Sequence, residues 1–262
     1  MVKKILSIIL WVITAGAIIV LFVFGRKTYL DTPLTGVGFS LEQSSKRGCV
    51  ERDTLLSHIE TRCGLERQAK IASIDLMGLK KKLDNNPWIE EASGYIGLND
   101  TLVLKAKEYK PVVRIFNKEG RSVFVTENGV IIPFSPKHTP RLIIANGDFD
   151  FPTPRDNANM TDSLYAESGV AEALHIAKAI NDNPFLMGSI GQICKNKDEY
   201  ELVVNDLTAR VILGDTCATN DKMQRLGKLL EKYSGTQELD PYKTLNLKYK
   251  YQIVCTKSQN YE

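Results

Sequence analysis

Residues Ile5 to Phe24, ILSIILWVITAGAIIVLFVF, form a run of twenty with no charge among them. At about 1.5 Å per residue, a helix over such a run is about 30 Å long, the hydrocarbon thickness of a bilayer. The pattern then changes. Phe39 and Leu41 alternate with polar neighbours and predict a short strand. Leu56, Ile59 and Cys63 share one face of a helix at the i, i+3, i+7 spacing, and Gly64 ends it. A second helix follows, with Asp75 as cap, Leu76, Leu79 and Leu83 as its apolar stripe, and Lys80, Lys81 and Lys82 towards water. Asn85-Asn86-Pro87 stops it, and Trp88 and Ile89 fold back beneath it. Ala92–Leu98 and Thr101–Lys107 then read as a hairpin turning at Asn99-Asp100. After a linker at 25–36, the predicted order over residues 37–111 is β-α-α-β-β.

From Val112 the chain reads as short strands: 112–116, 122–125, 130–134 and 141–145, with Asn117-Lys118-Glu119-Gly120 and Glu127-Asn128-Gly129 as turns. Gly147 to Asn159 is a polar, proline-rich loop. A helix over 164–181 carries Val170, Ala173, Leu174 and Ala177 on one face. Strands at 189–194, 200–204 and 209–213 follow, and a last helix points Met223, Leu226, Leu230 and Tyr233 inward. At the end, TLNLKYKYQIVC places Leu245, Leu247, Tyr249, Tyr251, Ile253 and Cys255 in alternation with Thr244, Asn246, Lys248, Lys250 and Gln252. This period of two predicts one strand of about twelve residues, about twice the usual length, with one buried and one wet face. Residues 112–256 thus read as a mostly antiparallel β domain with two helices, ahead of a tail at 257–262. The fold class is α+β.

The chain has 262 residues, 43% hydrophobic and 25% charged, enough for one or two ordinary globular domains beyond the apolar run. A net charge of +3 from scattered basic residues does not suggest nucleic acid as a partner. A cleaved signal peptide would have a shorter apolar core ending at a small-x-small site. Ala15-Gly16-Ala17 is such a triplet, but the apolar run continues past it to Phe24, which favours an uncleaved anchor over 5–24. Lys3 and Lys4, in the tail at 1–4, favour a cytoplasmic N-terminus, and Arg26 and Lys27 reduce that asymmetry. The remainder is then expected outside the cytoplasm, where disulfides are allowed. Of the five cysteines, Cys63 and Cys255 fall on apolar faces and read as buried thiols, a Cys49–Cys63 bridge is open, and Cys194 and Cys217 complete the set.

No catalytic or metal-binding constellation stands out along the chain. His58, His138 and His175 lack neighbours at metal-ligand spacing. Asp148, Asp150 and Asp156 lack the regular spacing and bidentate Glu of a calcium loop, and Asp215 sits in ordinary Gly-Asp-Thr turn chemistry. No phosphate loop, GxSxG elbow or HExxH stands in the chain. The expectation is a protein without catalysis, cofactor or metal.

Several passages carry a resemblance. Leu83-Asp-Asn-Asn-Pro87-Trp88-Ile89-Glu-Glu-Ala92, Asp100-Thr101-Leu102, Glu108-Tyr109-Lys110-Pro111, Glu127-Asn128-Gly129-Val130-Ile131 and Leu247-Lys248-Tyr249 occur in this order along nearly the whole chain. Together they resemble the FtsQ/DivIB bacterial cell-division proteins. Tyr109 departs from the Arg usual there, and neither the 147–159 loop nor the tail after Cys255 follows the family pattern. The resemblance implies that 37–111 is a POTRA domain. It further implies a non-catalytic divisome scaffold in the inner membrane, its C-terminal domains in the periplasm at the septum. FtsB/DivIC-like and FtsL-like bitopic proteins would be its partners, acting on the septal peptidoglycan synthase complex. The family's last strand receives a partner strand by β-addition, which points to Lys248, Tyr249, Lys250, Tyr251, Gln252 and Ile253, with the tyrosines as anchors and the lysines steering an acidic segment. The same alternation also fits tyrosines packed in the chain's own core and lysines that deter edge pairing. A POTRA-bearing subunit of outer-membrane protein assembly or secretion is the alternative, but no barrel pattern follows here.

Overall fold

The structure, a computed structural model, describes residues 2–42, 69–136 and 140–258. It divides into two compact units, Met1–Glu108 and Tyr109–Glu262. The fold is α+β.

The first unit opens with helix α1 (Val2–Asp31), which contains one segment, Ser7–Asp31, long and apolar enough to cross a membrane. Its side chains from Ser7 to Tyr29 are exposed, as an apolar helix solvated by lipid requires. The helix runs past Phe24 into the stretch expected to be linker, where Thr28 donates its hydroxyl to the Phe24 carbonyl at 3.0 Å. Beyond it, Lys70 pairs with Asp31 at 3.0 Å. Strand β1 (Gly36–Glu42), a 3₁₀ turn (Ile71–Ser73), helix α2 (Leu76–Asp84), β2 (Ile89–Ile96) and β3 (Thr101–Glu108) follow. The sheet order is β1-β3-β2, with β1 parallel and β2 antiparallel to β3. Asp75 caps α2, its Oδ1 accepting from the Gly78 amide at 2.9 Å. Leu79 and Leu83 then meet Phe39, Ile89, Ala92, Leu102, Leu104 and Ala106 in one core. The expected helix carrying Leu56, Ile59 and Cys63 lies outside the described residues, as do Cys49, His58 and His138.

The second unit is built on one ten-stranded sheet. Its strands are β4 (Pro111–Phe116), β5 (Ser122–Thr126), β6 (Val130–Pro133), β7 (Ile143–Gly147), β8 (Ala158–Asn159), β9 (Ile190–Asn196), β10 (Glu199–Val204), β11 (Arg210–Gly214), β12 (Tyr242–Asn246) and β13 (Val254–Lys257). Their order is β13-β12-β11-β10-β9-β7-β4-β5-β6-β8. Neighbours run antiparallel except at β4·β7, β7·β9 and β11·β12. Helices α3 (Val170–Asn181), α4 (Pro184–Ser189) and α5 (Thr219–Tyr233) share one core with alternate strand residues such as Val113, Ile115, Ile193, Leu202 and Val211.

Three sequence expectations are corrected here. The helix expected from 164 starts at Val170, after Gly169 turns the chain at φ 85°. A third helix, α4, forms where Asn183 caps and Pro184 takes the first turn, its backbone already set for helix. The single twelve-residue strand does not exist: β12 ends at Asn246, residues 247–253 leave the ladder, and β13 returns antiparallel to β12.

Candidate functional site

The C-terminal edge is assembled on helix α5. Met223, Leu226 and Leu230 bury one stripe of this helix. Charged side chains stand beside that stripe, and one of them is buried with it. At its start Lys222 is 5% exposed, and a buried ammonium needs partners. It donates to the Asp215 carbonyl at 2.9 Å and to Asp215 Oδ1 at 2.8 Å. That hydrogen bond holds the Asp215 carboxyl below the ordinary carboxylate range, against the opposing effect of desolvation. Asp215 Oδ1 also accepts from the Cys217 amide at 3.2 Å, and Thr219 donates to the Thr216 carbonyl at 2.7 Å. The Gly-Asp-Thr turn between β11 and α5 is therefore fixed from inside.

One turn further along α5, Arg225 reaches the segment between β12 and β13. Its Nε donates to Asp221 Oδ2 at 3.1 Å, four residues back on the same helix. Nη1 donates to the carbonyls of Tyr249 at 2.9 Å and Gln252 at 2.6 Å, and Nη2 to that of Leu247 at 3.4 Å. Lys248 leaves the other way and pairs with Glu199 of β10 at 2.6 Å, which raises its pKa. Its stem crosses Gly214, where φ is 75° and a Cβ would stand 2.5 Å from Lys248 Cγ, so a side chain there would be strained and would push the lysine stem aside.

This arrangement separates the site residues expected from sequence. Leu245 and Leu247 are fully buried, as the alternation requires. The alternation then fails: Tyr249 is 50% and Tyr251 78% exposed, so neither packs into the chain's own core. Tyr251 sits at φ 63°, a left-handed conformation uncommon for a bulky residue, with Lys250 Nζ 5.3 Å from its ring centre. Gln252 is exposed and Ile253 leans partly on the core. Cys255, expected buried, is an exposed free thiol on β13, because the preceding turn removes it from the apolar face it was assigned. All four residues of β13 are exposed, and β13 ends the sheet. Sequence reasoning missed Arg225, Glu199 and Lys222. Asp221 and Arg225 stand at i, i+4, which signals only a surface ion pair.

Elsewhere, residues of β4, β7, β9, α3 and α4 line an open groove of about 890 Å³, where Lys110, Arg141 and Lys178 mix with Glu127 and Asp182. Among the described residues no three His, Cys, Asp or Glu side chains are grouped to hold a metal ion. Asp148, from the acidic loop, uses Oδ2 to accept the Lys197 amide at 2.8 Å.

No curated protein matches the chain. A family model described as FtsQ/DivIB, C-terminal related, matches residues 110–256, more than half of the sequence. That span takes in all of the ten-stranded sheet up to Thr256, including the turn held by Arg225. With one N-terminal helix able to cross a membrane and this sheet-rich body beyond it, the chain is a cell-division protein and belongs to the FtsQ/DivIB-related family.

Proposed function

We propose that this chain is a non-catalytic scaffold of the division machinery. It is anchored in the inner membrane by α1, N-terminus inside, and holds a POTRA domain and a β domain in the periplasm at the septum. There it docks FtsB/DivIC-like and FtsL-like bitopic proteins, and through them regulates the septal peptidoglycan synthase complex. One observation carries the reading: among the described residues β13, at the end of the ten-stranded sheet, has no strand on its outer side, and it has no buried side chain of its own. An unpaired edge of this kind invites β-addition, in which main-chain hydrogen bonds supply affinity and flanking side chains set register. Tyr249, Lys250, Tyr251 and Gln252 stand exposed on the adjoining turn, with Lys248 and Ile253 on either side of them, and on this reading they contact the strand that pairs with β13. Family membership supports the division role and the absence of catalysis.

The test is co-purification of the full chain with its co-expressed FtsB/DivIC-type partner, comparing Cys255→Pro with Thr256→Pro. Successive residues of a strand direct their amides to opposite sides, and Ser258 donates its amide to Pro241, so Thr256→Pro strikes the β12 ladder and Cys255→Pro, the outward variant, strikes the free edge. The outward variant should keep its fold and lose the partner. Full recovery of partner with both variants would falsify docking at this edge. Fluorescence of a tagged chain should mark midcell during constriction; even labelling of the envelope would contradict the division reading.

A further inference from the structure

We infer that Arg225 is the positioning residue of the docking edge, an inference that rests on the docking reading above. Among the described residues, no backbone–backbone hydrogen bond ties residues 248–253 to the rest of the protein. Leu247 still bonds back to Ile212 at 2.9 Å, and pairing resumes at Val254. Lys248 is held at the start of this stretch, its amide donating to Asn246 Oδ1 at 3.0 Å and its ammonium pairing with Glu199, and beyond it Arg225 gathers the carbonyls of Leu247, Tyr249 and Gln252 onto one guanidinium. Ile253 adds a partial apolar contact.

The chemistry requires arginine. A guanidinium presents five N–H donors in a rigid plane, so Asp221 can fix Nε while both Nη atoms face the turn. A lysine has the charge but no such fork. The side chain is only 17% exposed, so water competes poorly for these bonds. Because β13 buries no side chain, its register against β12 depends on where the turn delivers it. Arg225 also holds the carbonyls of Tyr249 and Gln252, on either side of Tyr251 and its left-handed backbone. A helix residue far from the edge in sequence thus shapes both the strand a partner would pair with and the tyrosines beside it.

Hydrogen exchange and partner co-purification should be read together on the full chain in detergent micelles, for Arg225→Met, Arg225→Lys and the outward proline variant. With Arg225→Met, the hydrogen-bonded amides within 247–257, those of Leu247 and of the β13 residues paired to β12, should exchange about tenfold faster or more, while those of α5 and β9 stay unchanged. Recovered partner should fall about tenfold, the shift expected from losing one or more charge-assisted bonds. Arg225→Lys guards against a mere folding defect: it should keep the α5 amides protected yet still loosen 247–257 and weaken capture. Unchanged exchange in 247–257, or full rescue of both readouts by lysine, overturns the inference. If the proline variant loses the partner while Arg225→Met retains it in full, docking stands and the role of Arg225 falls. If the proline variant retains the partner, the docking reading itself fails and this inference with it.

Discussion

Strands β12 and β13 are neighbours in the sheet, joined by seven residues and paired antiparallel, yet they are attached to the protein in different ways. β12 sits beside β11 in parallel, Leu245 is fully buried in the core, and Leu247, just past the strand, is fully buried too. β13 has four exposed residues and, among the described residues, one neighbouring strand. Hydrophobic burial therefore fixes β12, while backbone pairing and the turn fix β13. The lesson is that one sheet can carry a strand that holds the fold and, one step outward, a strand that contributes little to it and is free to be recognised.

The sharpest way to break this contrast is to truncate one side chain on each side of the turn. Leu247→Ala removes fully buried methyl groups and should cost about 2–5 kcal/mol of stability. Val254→Ala, at an exposed site, should cost less than about 0.5 kcal/mol. The denaturant midpoint for loss of protection in the β9 to β12 amides reads both. Equal shifts would mean that β13 is as much a part of the core as β12.

The same contrast explains what the sequence could and could not reveal. Burial writes itself into a pattern, so Leu79 and Leu83 on α2, and Leu245 and Leu247, were legible from spacing alone. The alternation through Tyr249 and Tyr251 continues that pattern without the burial that usually causes it. What ends the strand is a set of hydrogen bonds from Arg225 to main-chain carbonyls, and carbonyls are identical at every residue. No composition or period can report such a contact. Helix α4 is a milder case: its Asn183-Pro184 start is local chemistry, but six residues are too few for a period to show. The resemblance points to the region of this edge, and the geometry of the turn and of β13 comes only from coordinates.

Tyr251 permits a smaller and more selective test. Its left-handed backbone costs about 1–2 kcal/mol relative to an ordinary conformation, which glycine would relieve. Glycine also gives the unfolded chain more freedom, which takes back about 0.5–1 kcal/mol. Tyr251→Gly should therefore leave the denaturant midpoint almost unchanged while removing an exposed ring from the turn. Partner recovery should drop several-fold, since aromatic anchors dominate such interfaces. Undiminished recovery would restrict docking to the main chain of β13 and release the tyrosine from any part in it.

The smallest expected effect lies behind the edge, where Lys222 holds Asp215. The lysine is buried, but the Asp215 side chain is 65% exposed, so water screens much of the attraction and the stabilisation is modest. Its sign is nonetheless fixed. The hydrogen bond from Lys222 lowers the folded carboxyl below its ordinary value, so the contribution is complete above the ordinary carboxylate range and is lost as pH falls through the lowered folded value. Asp215→Asn cannot ionise and should lose less stability than the parent chain between pH 6 and pH 3, with the two chains converging at the acid end. A parent chain whose acid sensitivity matched that of Asp215→Asn would show that Lys222 is held by the Asp215 carbonyl alone. In that case the turn leading into α5, and with it the placement of Arg225, would depend on main-chain hydrogen bonding rather than on charge.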